Sequence, residues 1–213
     1  MERTITITLE KARELYNSDN ESLKEIALQA FDKNELACNF KNITTFKKAC
    51  EALGLNHDAM SSIAENIATV SKASAAMFKL NIVRKALNLG HDLHLTKNSN
   101  NSYVYYPYNP FITESSIYYR NELNSGVMEI IGKIKNKGTL YNILGGCAIG
   151  GSYAGLGYFF YDARVGFGNP EVGFLGCASK EIAQHFSKYF GMLITESKYA
   201  DMVDFEIIEN KYQ

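Results

Sequence analysis

Glycine and aromatic residues are scarce in the first 98 residues and crowded into the remainder, and this partition limits the folds open to the chain. Of 16 glycines only Gly54 and Gly90 precede residue 99, and only 5 Phe or Tyr residues lie there (Tyr16, Phe31, Phe40, Phe46, Phe78), against 21 beyond it. Glycine weakens helices through backbone entropy, whereas aromatic rings suit a pleated surface. The expected class is α+β: a helical N-terminal region, residues 1–98, then an aromatic- and glycine-rich antiparallel β-sheet domain, residues 99–213, with a packed C-terminal helix over 179–194. The polar run Lys97-Asn98-Ser99-Asn100-Asn101-Ser102 has loop composition and marks the junction.

Local signals refine this division. Thr4 to Thr8 alternates like a short strand, and Leu9 to Tyr16 reads as a helix that ends in the turn residues Asn17 to Asn20. Ser22-Leu23-Lys24-Glu25 has capping-box spacing, and Asp32 to Glu35 offers a similar start. Thr45 to Leu53 is a short helix closed by Gly54. A long helical pattern runs from Ala59 to Leu89, with Ser71 and Ser74 placing a break near residue 72. Beyond the junction, strand-like runs occupy 103–108, 117–120, 156–161 and 172–178, and Val127 to Lys137 reads as a short helix. Ser179 caps the last helix, and Val203 to Ile208 returns as an edge strand before a polar tail.

Charge and cysteine usage exclude some classes. The 22 Lys and Arg against 23 Asp and Glu give a net charge of −1, which argues against bulk attraction to duplex nucleic acid or an anionic membrane. Met1 to Ile5 lacks the character of a secretory leader, so a cytosolic protein is expected. Cys38, Cys50, Cys147 and Cys177 form no Cys-x-x-Cys pair and read as reduced, mostly buried thiols. Residues 139–161 carry no charge, but six glycines and four tyrosines make them weakly apolar, so a buried loop and strand is favoured over a membrane span.

Two segments carry a likeness. Ile7 to Tyr16 followed by Leu23 to Phe31, and the closing run Phe174 to Phe186, resemble the openings and endings of uncharacterised proteins from Bacteroidetes phages of crAss-like type and from mobile elements. Tyr105-Tyr106-Pro107-Tyr108 is similar to an aromatic run that they carry in the middle. The resemblance implies a phage or mobile-element setting. That family has no established activity, so no catalytic or binding residue is implied, and the glycine-rich stretch 145–157 departs from its pattern.

Familiar catalytic signatures are missing. His91 and His94 stand three apart with no second ligand pair, so no metal is expected. Cys147 or Cys177 can be set on paper beside His185 and Asp201 or Asp204, but no nucleophile elbow surrounds any serine, and no catalytic residue is assigned. The glycine-rich run has neither the P-loop lysine nor the third glycine of a dinucleotide fingerprint, so no cofactor is expected.

What remains is a ligand site between the tyrosine strands and the glycine-rich segment. Tyr105, Tyr106 and Tyr158 would supply stacking faces, Gly150, Gly151 and Gly155 close backbone approach, and Arg120 and Arg164 charge. The bland alternative makes the tyrosines packing and the arginines surface partners. The favoured function is non-enzymatic binding of a host or phage protein, or of a small anionic or aromatic ligand such as a nucleotide, with counter-defence as a fitting role. A virion-associated structural protein, with self-association, and a hydrolase of unrecognised fold are the alternatives.

Overall fold

The computed structural model describes residues 7–16, 18, 20–33, 36, 39–89, 105–150 and 175–212. Among the described residues five α-helices precede the sheet, α1 (Leu9–Tyr16), α2 (Glu21–Ala30), α3 (Phe46–Ala52), α4 (His57–Ala68) and α5 (Lys72–Leu87), with a short 3-10 turn at Phe40–Asn42. Their starts follow side-chain chemistry. Asn20 Oδ1 accepts from Ser22 N, Thr45 Oγ1 from Lys48 N, Asn56 Oδ1 from Ala59 N, and Ser71 Oγ from Ser74 N. The capping-box expectation at Ser22 is therefore corrected, because Asn20 caps the helix two residues earlier and takes the Ser22 amide itself. Gly54 ends the α3 turn at φ +66°, and the break expected near residue 72 falls between α4 and α5.

Beyond residue 104 come β1 (Tyr105–Tyr108), β2 (Phe111–Ile112), α6 (Arg120–Asn124), β3 (Glu129–Asn136), β4 (Thr139–Gly145), β5 (Cys147–Gly150), α7 (Lys180–Tyr199) and β6 (Phe205–Asn210). The order β2-β4-β3-β6 makes one antiparallel sheet, and β1 pairs with β5 in a second. The two sheets are halves of one bent ladder. Asn109-Pro110 separates β1 from β2, Gly146 at φ +94° separates β4 from β5, and Leu144 N bonds Pro110 O across the bend. The architecture is α+β.

Three sequence expectations are corrected. Val127 to Lys137 is not a helix: Glu129–Asn136 form β3, with a register shift between Ile130 and Gly132, and Lys137 (φ +48°) with Gly138 (φ +80°) form the two-residue turn into β4 that suits sheet twist. Ile117 to Arg120 is not a strand: Ile117 and Tyr118 are exposed, and Tyr119 adopts φ +61° at the head of α6. Within 175–178 only Cys177 makes a bridge, to Tyr105. The helix expected over 179–194 continues to Tyr199. The runs expected over 4–6, 156–161 and 172–174 lie outside the described residues.

Helix α7 is central. On one side Ile182, Phe186, Phe190 and Ile194 pack with Leu80, Val83 and Leu87 of α5, so the main core draws on both sides of residue 98. On the other side Met192 packs with Ile131, Ile134 and Ile143 of the sheet. Small residues permit this approach. A Cβ on Gly191 would lie 2.2 Å from Asn109 Nδ2 and 2.5 Å from Ile131 Cδ1, and one on Gly145 would lie 3.0 Å from Ser187 O.

The bend of the ladder is fastened to α7 by polar groups. Ser187 Oγ donates to Tyr108 O at 2.8 Å and accepts from Gly146 N at 3.2 Å. The Nδ2 of fully buried Asn109 faces Leu144 O at 2.8 Å and Ser187 O at 2.9 Å. Near the end of α7, Asp201 caps α5, with Oδ1 2.8 Å from Lys72 N.

Two variants test this arrangement. Gly191→Ala should destabilise by about 1–3 kcal/mol, since the new methyl overlaps a packed sheet. Ser187→Ala should cost a similar amount, about 1–3 kcal/mol, by orphaning the part-buried Gly146 amide and Tyr108 carbonyl. Urea unfolding at equilibrium measures both, and a loss below about 0.5 kcal/mol in each would contradict tight packing here.

Candidate functional site

The structure brings part of the sequence-expected site together. Tyr105 and Gly150 are register partners in the β1–β5 pair, so the tyrosine strand does lie against the start of the glycine-rich segment. Tyr106 is only 2% exposed, and burial next to Cys177 pushes its hydroxyl up to about 12. Its ring belongs to the interior. Arg120 is exposed at the first position of α6. Tyr108 and Tyr119 meet through their hydroxyls at 3.0 Å. Gly151, Gly155, Tyr158 and Arg164 lie outside the described residues.

The groups needed for nucleophilic catalysis are engaged elsewhere. Burial raises the thiols of Cys50 and Cys147, and that of fully buried Cys177 to about 12, so all three stay protonated at neutral pH. His185 Nε2 lies 2.8 Å from Ile43 O, which makes that nitrogen the donor, and Asp201 caps α5. Burial lowers the His185 pKa below its ordinary 6.5, with Lys188 and Lys41 acting in the same direction against the bond to Ile43. Among the described residues no group of three or more His, Cys, Asp or Glu is placed to hold a metal. His91 and His94 lie outside the described residues. Of the uncharged stretch 139–161, the described part forms β4 and β5, and no helix among the described residues is long and apolar enough to cross a membrane.

A different constellation lines α7. His185, Lys188 and Tyr189 stand at i, i+3 and i+4 and so share a face. A row of partly exposed rings follows it. Phe40 meets His185 edge-on at 5.5 Å, His185 lies 4.5 Å from Tyr189, and Tyr189 lies 4.9 Å from Tyr212. Lys188 Nζ is 5.4 Å from the Tyr189 ring centre and Lys211 Nζ 5.3 Å from that of Tyr212, within cation–π range.

Both ammonium groups converge on the first residue of β3. Lys188 Nζ lies 2.6 Å from Glu129 Oε1, Lys211 Nζ bonds Oε2, and the Tyr212 hydroxyl donates to Oε1 at 2.8 Å. Partial burial alone would raise the Glu129 pKa. The bonds from Lys188, Lys211 and Tyr212 outweigh it and bring the carboxyl down to about 2. The arrangement places one anion among three donors, at the end of an aromatic row.

The cluster uses two of the chain's three Lys-Tyr dipeptides, 188–189 and 211–212 but not 198–199, so the dipeptide by itself is a weak signal. Helical periodicity alone places Tyr189 on the packing face of α7, and residues after 208 read as a polar tail. Neither reading shows that β6 carries the last dipeptide back beside the first.

No family model matches this sequence, and neither a curated protein nor a solved structure matches it.

The shifted groups predict two separate acid steps. His185 is depressed when folded, so stability is intact above pH 6.5 and falls as pH drops from there through the folded value. Glu129 is depressed from 4.5 to about 2, so its contribution is intact above 4.5 and is lost between those values. Unfolding free energies measured across pH should lose the upper step in His185→Gln and show a smaller lower step in Glu129→Gln, where Glu181 and Asp201, also depressed, go on titrating. An unchanged profile in both variants would contradict the assignment.

Proposed function

We propose that the protein is a non-enzymatic binding protein whose ligand is anionic and carries flat rings, a nucleotide or single-stranded nucleic acid being the chemistry that fits. The observation that carries this reading is the row Phe40, His185, Tyr189 and Tyr212 with Lys188 and Lys211 set over its last two rings. Every base has a π-face that stacks on aromatic side chains, and neighbouring ammonium groups suit the phosphates. The protonated thiols and the engaged His185 also favour binding over nucleophilic catalysis. A phage or mobile-element protein acting in the host cytoplasm, with counter-defence as its role, belongs to the same proposal through the sequence resemblance.

A second place for such a ligand is beside the β1–β5 pair, favoured by the Tyr105–Gly150 pairing and the exposed Arg120.

Calorimetric titration with nucleotides and short single-stranded oligonucleotides tests the reading and tells the two places apart. Binding should weaken by about 1–3 kcal/mol in Tyr189→Ala, the worth of a stacked base, and stay unchanged in Arg120→Ala. Loss in Arg120→Ala with none in Tyr189→Ala moves the site to β1–β5. No binding to any member of the panel overturns the proposal.

A further inference from the structure

Glu129 stands where an external anion would. Its two carboxylate oxygens take an ammonium each, and Oε1 also takes a phenolic hydroxyl. These donors come from separate parts of the chain, Lys188 from the middle of α7 and Lys211 and Tyr212 from just beyond β6. The site is therefore assembled by the fold and not by one helix surface. It is also partly open: side-chain exposure is 37% for Lys188, 50% for Lys211 and 26% for Glu129.

The charges around it do not cancel. Lys188 and Lys211 bring two positive charges and Glu129 one negative, which leaves a local excess of one positive charge. Three donors arranged about two oxygens of a planar carboxylate also suit two oxygens of a phosphate, with ammonium groups acting as point charges. The Tyr189 and Tyr212 rings lie directly beside the donors, 4.9 Å apart. A group esterified to the phosphate would meet an aromatic surface.

We propose that Lys188, Lys211 and the Tyr212 hydroxyl form a phosphate site that Glu129 fills in the free protein, and that a nucleotide phosphate exchanges with this carboxylate while its base stacks on the aromatic row. This inference rests on the binding reading above and adds to it the anchoring group and its competitor. The exchange is non-covalent. Glu129 turns out to solvent when phosphate enters, and its own charge opposes the ligand. The wild-type site is consequently attenuated, and neutralising Glu129 strengthens it.

The test compares adenosine, 5′-AMP and (dT)10 by calorimetry on the full chain, with wild type, Glu129→Gln, Lys188→Ala, Lys211→Ala and Tyr189→Ala, each checked for folding by its thermal transition. Glu129→Gln should bind 5′-AMP about fivefold more tightly than wild type, the upper size of an exposed charge pair, while adenosine affinity stays unchanged. Each lysine variant should weaken 5′-AMP but not adenosine. The gain should shrink as salt rises. A gain for (dT)10 but not for 5′-AMP would place a phosphodiester in the site, and a gain for 5′-AMP alone a terminal phosphate. Glu129→Gln that melts earlier but binds 5′-AMP and (dT)10 as wild type does would make the cluster a structural tether and overturn the inference. In that case Tyr189→Ala still reports separately on the stacking row. Absence of binding in every folded variant overturns the binding reading together with the exchange.

Discussion

The close approach of α7 to the bend of the sheet is the constraint on which the rest of the structure depends. At Gly191 the helix backbone comes so near Asn109 and Ile131 that there is no room for a side chain. Two strand pairs change direction at this point, and a change of direction leaves backbone groups outside the ladder. Ser187 answers for two of them, the Tyr108 carbonyl and the Gly146 amide, while Asn109 bonds the Leu144 and Ser187 carbonyls. A buried polar network of this kind stabilises only when its members are satisfied, and here the side-chain Oδ1 of Asn109 meets no donor among the described residues. The geometry is kept because the same helix closes two hydrophobic cores at once.

Much of the helical half was legible because its signals are local. A cap such as Thr45, a closing glycine such as Gly54 and a serine break at Ser71 act within four residues, and the structure uses each of them. The β half was legible in class but not in detail. Glu129 to Asn136 contains Ile130, Ile131 and Ile134 at spacings that a helix would also use, so periodicity alone favours the wrong element. What decides for a strand is the two-residue turn at Lys137-Gly138, together with pairing to β4 and β6 on either side. Those partners are non-local, and nothing within the segment names them. Tyr106 shows the same limit at the level of a site. Alternation predicts one inward ring, yet Tyr105 packs against the main core while its neighbour Tyr106 is only 2% exposed, because both faces of β1 are covered.

The aromatic row illustrates how a cluster assembled by the fold escapes a reading along the chain. Phe40 lies in a short turn before α3, His185 and Tyr189 lie on α7, and Tyr212 follows the last strand. Each has an ordinary local explanation. Only the return of β6 along β3, fixed by the Lys133–Glu209 and Ile134–Ile207 pairings, carries Lys211 and Tyr212 past Glu129. The end of the chain is thus tied to the sheet by the same contacts that assemble a cluster of donors.

Whole-chain charge is a poor guide to such a cluster, and the reason is screening. A net charge of −1 describes the field far from the molecule, where a duplex or a membrane would first feel it. Over the roughly 8 Å screening length at physiological salt, a bound group senses only its neighbours. At Glu129 these are two ammonium groups held close by a partly buried carboxylate. A lack of long-range attraction to nucleic acid is therefore compatible with the anion site proposed at this cluster. Affinity there would depend on stacking and on a few fixed donors, and the association rate would gain little from steering. That combination suits a small or single-stranded ligand better than a duplex, which presents phosphates in rows but keeps its base faces covered.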